Sequence, residues 1–405
     1  MLPAASAWLH HPLTRNSAFM HLWAGQTAAQ VGFQVGTLAT SAIAITLLHA
    51  SETQIGVLSA LQTVAFLLVG LPAGAWVDGW CKRQVMIAAD VARVGALVSI
   101  PVAYSLATLT LTHLMIVSAL LGLCTVFFDV AYQSYVPIIA SKRYIGAANG
   151  RLEASYQVGH AGGPGLGGWL LGFVAAPLVY LLTALTYALS PWPIWRIRAP
   201  EPAPTRTGAP LLAQIHEGLT FVRGQRLLFP LFSCIAAAAF AGAGIQVLLP
   251  ILVLRTLGMS ATQLGVLLSA GALGGILGAI TRSAWITHLG IGRTIVATNI
   301  LGVAILAFQP AAIHIPAWAT WVIAASGIIS SYFLTVYNVT QMSLRQEICP
   351  PHMLGRMNAI FRFAVWGVMP LGSLASGVVA ARVGVEAAMY AFIALAIGAG
   401  IAMAF

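Results

Sequence analysis

NGRLEASYQVGHAGGPGLGG, residues Asn149–Gly168, lies within an apolar segment long enough to cross a bilayer. Its fixed points are Gly150, Gly159, Gly163, Pro164, Gly167 and Gly168. Gly159, Gly163 and Gly167 recur every fourth residue, so on a helix they form one strip without side chains, where another helix can come close. Pro164 donates no hydrogen bond to the His160 carbonyl, so a bend is expected there. A lone Gly-x3-Gly is ordinary packing in a membrane helix. Six fixed positions together say more.

The rest of the chain is equally apolar. Hydrophobic residues make up 59% of the 405, charged residues 7%, and the mean hydropathy is +0.90. Soluble folds need far more charge on their surface than this. At ~20 residues per crossing and with short loops, the length holds about twelve transmembrane helices, an all-α membrane protein. They start near Ser17, Thr53, Gln84, Thr110, Ala147, Pro177, Leu227, Thr262, Ile291, Pro316, Leu354 and Val385. His10, His11, Pro12 and Arg15 precede a first helix too long and too polar for a cleaved leader.

A net charge of +10 suggests nucleic acid, but its distribution argues for a membrane. Of the nineteen Lys and Arg, the helix count puts Arg255 and Arg382 on one face and Arg93 and Arg362 inside helices. The remaining fifteen, among them Arg15, Lys82, Arg83, Lys142, Arg143, Arg196 and Arg345, fall on the other face. That bias places both termini of a multi-pass membrane protein in the cytoplasm. Cys81, Cys124, Cys234 and Cys349 are isolated, without metal or redox spacing, and read as free thiols.

The chain also repeats itself. Gln54-Ile-Gly-Val-Leu returns as Gln263-Leu-Gly-Val-Leu, an offset of 263 minus 54, or 209 residues. Gly146-x2-Asn149 returns as Gly355-x2-Asn358, and Gly163-x4-Gly168 as Gly372-x4-Gly377, in the same register. The expected domains are therefore a six-helix bundle over residues 1–196, a cytoplasmic linker over 197–225 and a second bundle over 226–405. Parallel repeats of this kind place a substrate site near mid-membrane where the repeats meet. The linker opens with the Pro-rich APEPAPTRTGAP, and Leu211–Val222 alternates like a short amphipathic helix on the membrane surface.

Polar residues are rare enough to be examined singly. Gln26, Gln30 and Gln34 stand at i, i+4 and i+8, one polar stripe on the first helix. Interhelical hydrogen bonding and the lining of a substrate cavity both fit such a stripe. Asp90 and Arg93 lie on the third helix and Asp129 on the fourth, each acid ~10–12 Å from the cytoplasmic end at 1.5 Å per residue. A charge at that depth costs ~3 kcal/mol, so such groups are paired or functional. Arg93 can neutralise Asp90 on its own helix or Asp129 across the interface, but not fully both. The less well paired acid, read as Asp129 with Tyr132 one turn away, becomes the proton carrier; a static Asp–Arg–Asp brace is the competing account.

Adding 209 takes Asp90 to Asn299 and Asp129 to Asn338, so titratable acids are confined to the first repeat. The tenth helix offers Ser331, Thr335, Asn338 and Gln341 as a polar face. His160 is a second proton-carrier candidate, with a plain hydrogen bond to a carbonyl as its simpler role. Glu153 is paired with Arg282 as a cytoplasmic contact, and Gly271, Gly275 and Ala279 of the eighth helix are expected to receive the glycine strip.

The helix-5 pattern resembles the antiporter motif of major facilitator superfamily exporters, with every glycine and the proline present. The resemblance implies twelve helices in two six-helix bundles and a glycine face at the seam between the halves, linked to export by proton exchange. Gly70-x3-Gly74-x3-Asp78 with Lys82 and Arg83 resembles the superfamily's loop between helices 2 and 3, with Gly79 and Cys81 departing from it. By that resemblance Asp78 is a gate latch, with Arg356 and Arg362 as partners. Phe19-x3-Trp23-Ala-Gly-Gln26, Glu217-Gly218-Leu-x-Phe221, Leu354-Gly355-Arg356 and Pro370-Leu-Gly372 are similar to the enterobactin-exporter and macrolide-efflux branch.

The expectation is a secondary active exporter of a small organic molecule (drug, macrolide or siderophore-like), driven by a proton gradient. It uses no cofactor or metal, binds no nucleic acid and is monomeric. A lipid flippase or solute importer shares this architecture. A membrane-embedded enzyme would need a motif such as Gly-x-Ser-x-Gly, a paired-aspartate diphosphate site or a metal-spaced cluster, and the chain carries none.

Overall fold

The computed structural model describes residues 12–140, 144–197, 219–225, 228–350 and 354–403. Twelve main helices run through the described residues. In the first half they are α1 (Ser17–Ala42), α2 (Glu52–Asp78), α3 (Lys82–Ser105), α4 (Leu111–Ile139), α5 (Ile145–Leu171) and α6 (Ala176–Leu189). In the second they are α7 (Leu228–Pro250), α8 (Ala261–Leu289), α9 (Ile291–Ala304), α10 (Ala319–Ile348), α11 (Leu354–Val383) and α12 (Val385–Ala402). Among the described residues, ten helical segments are long and apolar enough to cross a membrane. Glycine-rich α5, with Arg151 and Glu153, and the 14-residue α6 are not among them.

The repeat is written into backbone hydrogen bonds. After α1 the chain widens into a π-helix, Ile43–Leu47, and after α7 into another, Ile251–Thr256. Leu48 N donates to Ile43 O and Leu257 N to Leu252 O, each at 2.9 Å. Ala50 N reaches Ala44 O at 2.8 Å and Met259 N reaches Val253 O at 2.9 Å. Every atom in the second set is 209 residues beyond its counterpart. The next helices start alike: Ser51 N donates to Gln54 Oε1 and Ser260 N to Gln263 Oε1, both at 2.8 Å. The two serine hydroxyls accept in return from the backbone N–H groups of Gln54 and Gln263. These reciprocal caps satisfy donors that a helix N-terminus otherwise leaves open. α8 passes to α9 through Gly290 (φ 76°) and α11 to α12 through Gly384 (φ 85°). Single-residue reversals in that region of φ favour glycine.

The chain forms two compact units, residues 1–40 with 69–207, and residues 41–68 with 208–405. The second unit thus takes the π-turn after α1 and the first part of α2. The first unit's core gathers Phe19, Leu22, Met86, Phe128, Tyr135 and Ile194. In it Gly25, Gly32 and Gly36 of α1 lie against Ser190, Thr186 and Thr183, so α1 and α6 run antiparallel.

The second unit packs Leu228, Leu231, Ile295, Met357 and Phe361. Gly274 and Gly278 of α8 meet the backbone carbonyls of Ile328 and Tyr332 on α10, and Gly372 of α11 meets that of Phe240 on α7. Gly56 of α2 stands 3.0 Å from Gly377 Cα, counted from where its Cβ would be. Beside that approach Arg255 Nη1 pairs with Glu52 Oε1 at 2.8 Å, and Nη2 also binds Ala50 O. Of the linker, residues 219–224 are helical. The Pro-rich stretch and residues 211–218 lie outside the described residues.

Candidate functional site

The glycine strip of α5 faces α1. A side chain at Gly159 would stand 3.3 Å from Gln30 Cβ, one at Gly163 would overlap Gln34 Cβ, and one at Gly167 would come 3.3 Å from Leu38. Trp23 Nε1 donates to Ser155 Oγ at 2.8 Å at the near end of the same seam. Both numbers rise together along it, so α1 and α5 are parallel. The amide stripe and the glycine strip, four residues apart on each helix, are the two sides of one interface.

This corrects the expectation that α8 would receive the strip. A side chain at Gly275 of α8 would stand 3.4 Å from Ser331 Oγ and 3.3 Å from Thr335 Oγ1, and one at Gly271 3.8 Å from Ser331 Cβ, all on α10. Four-residue spacing reveals a bare face but not which helix fills it. Here the methylene stems of Gln30 and Gln34 do so. α5 runs unbroken through Pro164, with Gly159, Gly163, Gly167 and Gly168 buried. A side chain at Gly150 would meet nothing within 4 Å among the described residues outside its own helix turn.

Asp90 and Arg93 form a closed pair. Arg93 Nη1 donates to Asp90 Oδ1 at 2.8 Å, with the side chains 4% and 0% exposed. The guanidinium lies over the rings of Phe128 at 4.8 Å and Tyr187 at 5.1 Å. Asp90 Oδ2 and Arg93 Nε have no hydrogen-bond partner among the described residues. The repeat position Asn299 is also fully buried, with both amide atoms unpartnered. The second repeat keeps the buried polar group and drops its charge.

Asp129 is half-buried on α4, within the electrostatic reach of Arg93. Phe128, which covers Arg93, stacks on Tyr132 at 6.1 Å. The carboxylates of Asp129 and Glu153 both act on the phenols of Tyr132 and Tyr156. Glu153 Oε1 accepts from Gln157 Nε2 at 2.8 Å, and the Tyr156 and His160 rings are 6.0 Å apart. Asp129, Tyr132, Glu153, Tyr156 and His160 therefore make one acidic, aromatic, partly exposed cluster on α4 and α5. Tyr156 and Gln157 escaped the sequence reading. Their signal was the spacing of Glu153, Tyr156 and His160 at i, i+3 and i+7 on one face.

The other predicted residues are spread along the helices. Gln26 Oε1 and Gln341 Oε1 are buried without a hydrogen-bond partner among the described residues, and Asn338 is exposed. Tyr332 Oη accepts from Trp285 Nε1 at 2.8 Å and Thr281 Oγ1 at 2.9 Å. Arg83 Nη1 donates to Ile197 O at 2.6 Å, closing the helical turn Pro191–Arg196. Lys82 is half-buried and Arg362 exposed, whereas Arg282 Nη2 donates to Ser343 Oγ at 3.0 Å. The side chains of Asp78 and Arg356 lie outside the described residues. Among the described residues no three His, Cys, Asp or Glu converge as metal ligands.

The sequence model of the transmembrane secretion effector family matches residues 6–405. The chain is 25% identical over 359 residues to the multidrug efflux pump Tap of Mycolicibacterium fortuitum, covering 85% of this chain and 84% of that one. Its fold is similar to an inward-facing bacterial homologue of the iron transporter ferroportin, with a TM-score of 0.76 at 15% identity, covering 95% of this chain and 97% of that one. It is also similar to the nucleoside transporter NupG, with a TM-score of 0.68 at 14% identity, covering 96% and 97%.

Proposed function

Because the chain belongs to the transmembrane secretion effectors of the major facilitator superfamily, and is a membrane transporter rather than an enzyme, we propose that it exports a small organic molecule by proton antiport. It works by alternating access in the bacterial inner membrane, with both termini in the cytoplasm. The export direction is supported by the similarity to a multidrug efflux pump and by the α5 glycine pattern. The substrate is bulky and partly polar (a drug, a macrolide or a siderophore-like molecule), held by amides, hydroxyls and aromatic rings rather than by a dense charge array.

The observation that carries this reading is the division of labour between two acids. Arg93 gives its hydrogen bond to Asp90 and both are sealed from water. Asp129 is only partly buried at a depth where a charge is costly, with its carboxylate acting on the phenol of Tyr132. It takes a proton on the outer side as substrate leaves and returns it on the inner side. A proton-motive force of ~150 mV supplies about 3.5 kcal/mol per proton, enough for a substrate gradient of a few hundred-fold.

Efflux from proteoliposomes with an imposed pH gradient tests this. Asp129→Asn is expected to bind substrate and to lose gradient-driven efflux. Efflux that still follows the pH gradient in that variant removes Asp129 from the mechanism.

A further inference from the structure

The second unit holds a cavity of about 500 Å³ with no part in the cluster just described. Its walls come from the start of α7 (Leu231), the first two turns of α9 (Arg293, Val296, Ala297), the end of α10 (Leu344) and Met403 just past α12. Those four helix ends lie at one end of the unit, where Arg345 and the start of α11 also stand. Among its described lining residues only Arg293 carries a charge, and the rest offer hydrocarbon or backbone. Arg293 is exposed, and among the described residues no carboxylate pairs with it.

We propose that this cavity binds an anionic phospholipid, with the phosphate on Arg293 and an acyl chain between Leu231, Val296, Leu344 and Met403. The volume lies in the range of ordinary ligand sites. Its place at the helix ends sets it at the boundary between headgroups and acyl chains. An arginine there reaches the interface with its stem in hydrocarbon, and basic pockets on that side of a bundle attract anionic headgroups. A neutral solute leaves Arg293 without a counter-charge, and a free anion leaves the apolar walls unfilled. The leaflet concerned, though not the site, rests on the orientation proposed above. The competing occupant is the segment that follows Met403 in the sequence, residues 404–405.

The test uses the full chain purified in detergent and reads lipid binding by native mass spectrometry, with thermal stability in parallel. Neither measurement depends on transport, so an error in the antiport reading leaves this result intact. Phosphatidylglycerol is expected to bind and stabilise more than phosphatidylcholine of the same chains, with inorganic phosphate without effect. Arg293→Gln is expected to weaken phosphatidylglycerol about five-fold, to the level of phosphatidylcholine. Ala297→Trp, which fills the cavity and keeps the charge, is expected to weaken both lipids. Equal binding of the two lipids by the native chain, or unchanged binding in either variant, overturns the proposal. So does stabilisation by phosphate alone, or lipid binding that appears only after residues 404–405 are removed.

Discussion

Gly162 and Gly163 are adjacent in sequence and unlike in space. A methyl group at Gly163 would overlap Gln34 Cβ on α1, whereas one at Gly162 meets nothing within 4 Å. Gly163→Ala is therefore expected to lose about 1–3 kcal/mol through forced separation of α1 and α5. Gly162→Ala should be neutral or better, since alanine favours the helix. Thermal unfolding in one detergent compares the two, and equal losses would mean that α1 does not fill the strip. The acids separate in the same way. Asp90→Asn leaves the Arg93 guanidinium buried without its counter-charge, a defect of about 3–5 kcal/mol. Asp129→Asn, at a half-buried position, is expected to unfold near the native midpoint. If it is Asp129→Asn that unfolds early, Asp129 belongs to the brace and not to the proton path.

At the scale of elements, periodicity carried most of the fold. Ser17, Ile291, Leu354 and Val385 open helices where hydropathy and turn residues predict. The 209-residue offset reappears in the π-turns and in the Ser51 and Ser260 caps. Choice of neighbour was not legible. A glycine row shows that a face is bare but not what fills it, and here the stems of Gln30 and Gln34 do so. Glu153 also bonds Gln157 on its own helix, a partner that the spacing i, i+4 offered and the sequence reading passed over. A charge on a helix carries no address, and only packing supplies one.

The Arg255–Glu52 pair was invisible for another reason, because the repeat does not preserve it: Thr46 and Ala261 hold the equivalent positions. The pair is one-third to one-quarter exposed, so its coupling in a double-mutant cycle is expected at or below ~1 kcal/mol and should fade with salt. Arg255→Gln should cost more than Glu52→Gln, because Ala50 O loses its donor as well. Equal single losses would assign the whole effect to the carboxylate.

For the whole molecule, orientation joins the proton, substrate and lipid proposals, and the native cysteines can report it without engineering. Cys124, Cys234 and Cys349 are buried, and Cys81 alone among the four is partly exposed, at the start of α3. The bias of Lys82, Arg83 and the other loop cations puts that turn in the cytoplasm. A membrane-impermeant maleimide is therefore expected to label the chain in inside-out vesicles and to leave it unlabelled in intact cells. Loss of the vesicle signal in Cys81→Ser identifies the thiol. Labelling from outside the cell would invert the chain. The anionic lipid proposed at Arg293 would then belong to the opposite leaflet. The labelling asymmetry therefore reads topology alone, and direction is read separately, from substrate movement in proteoliposomes with the pH gradient imposed in each sense.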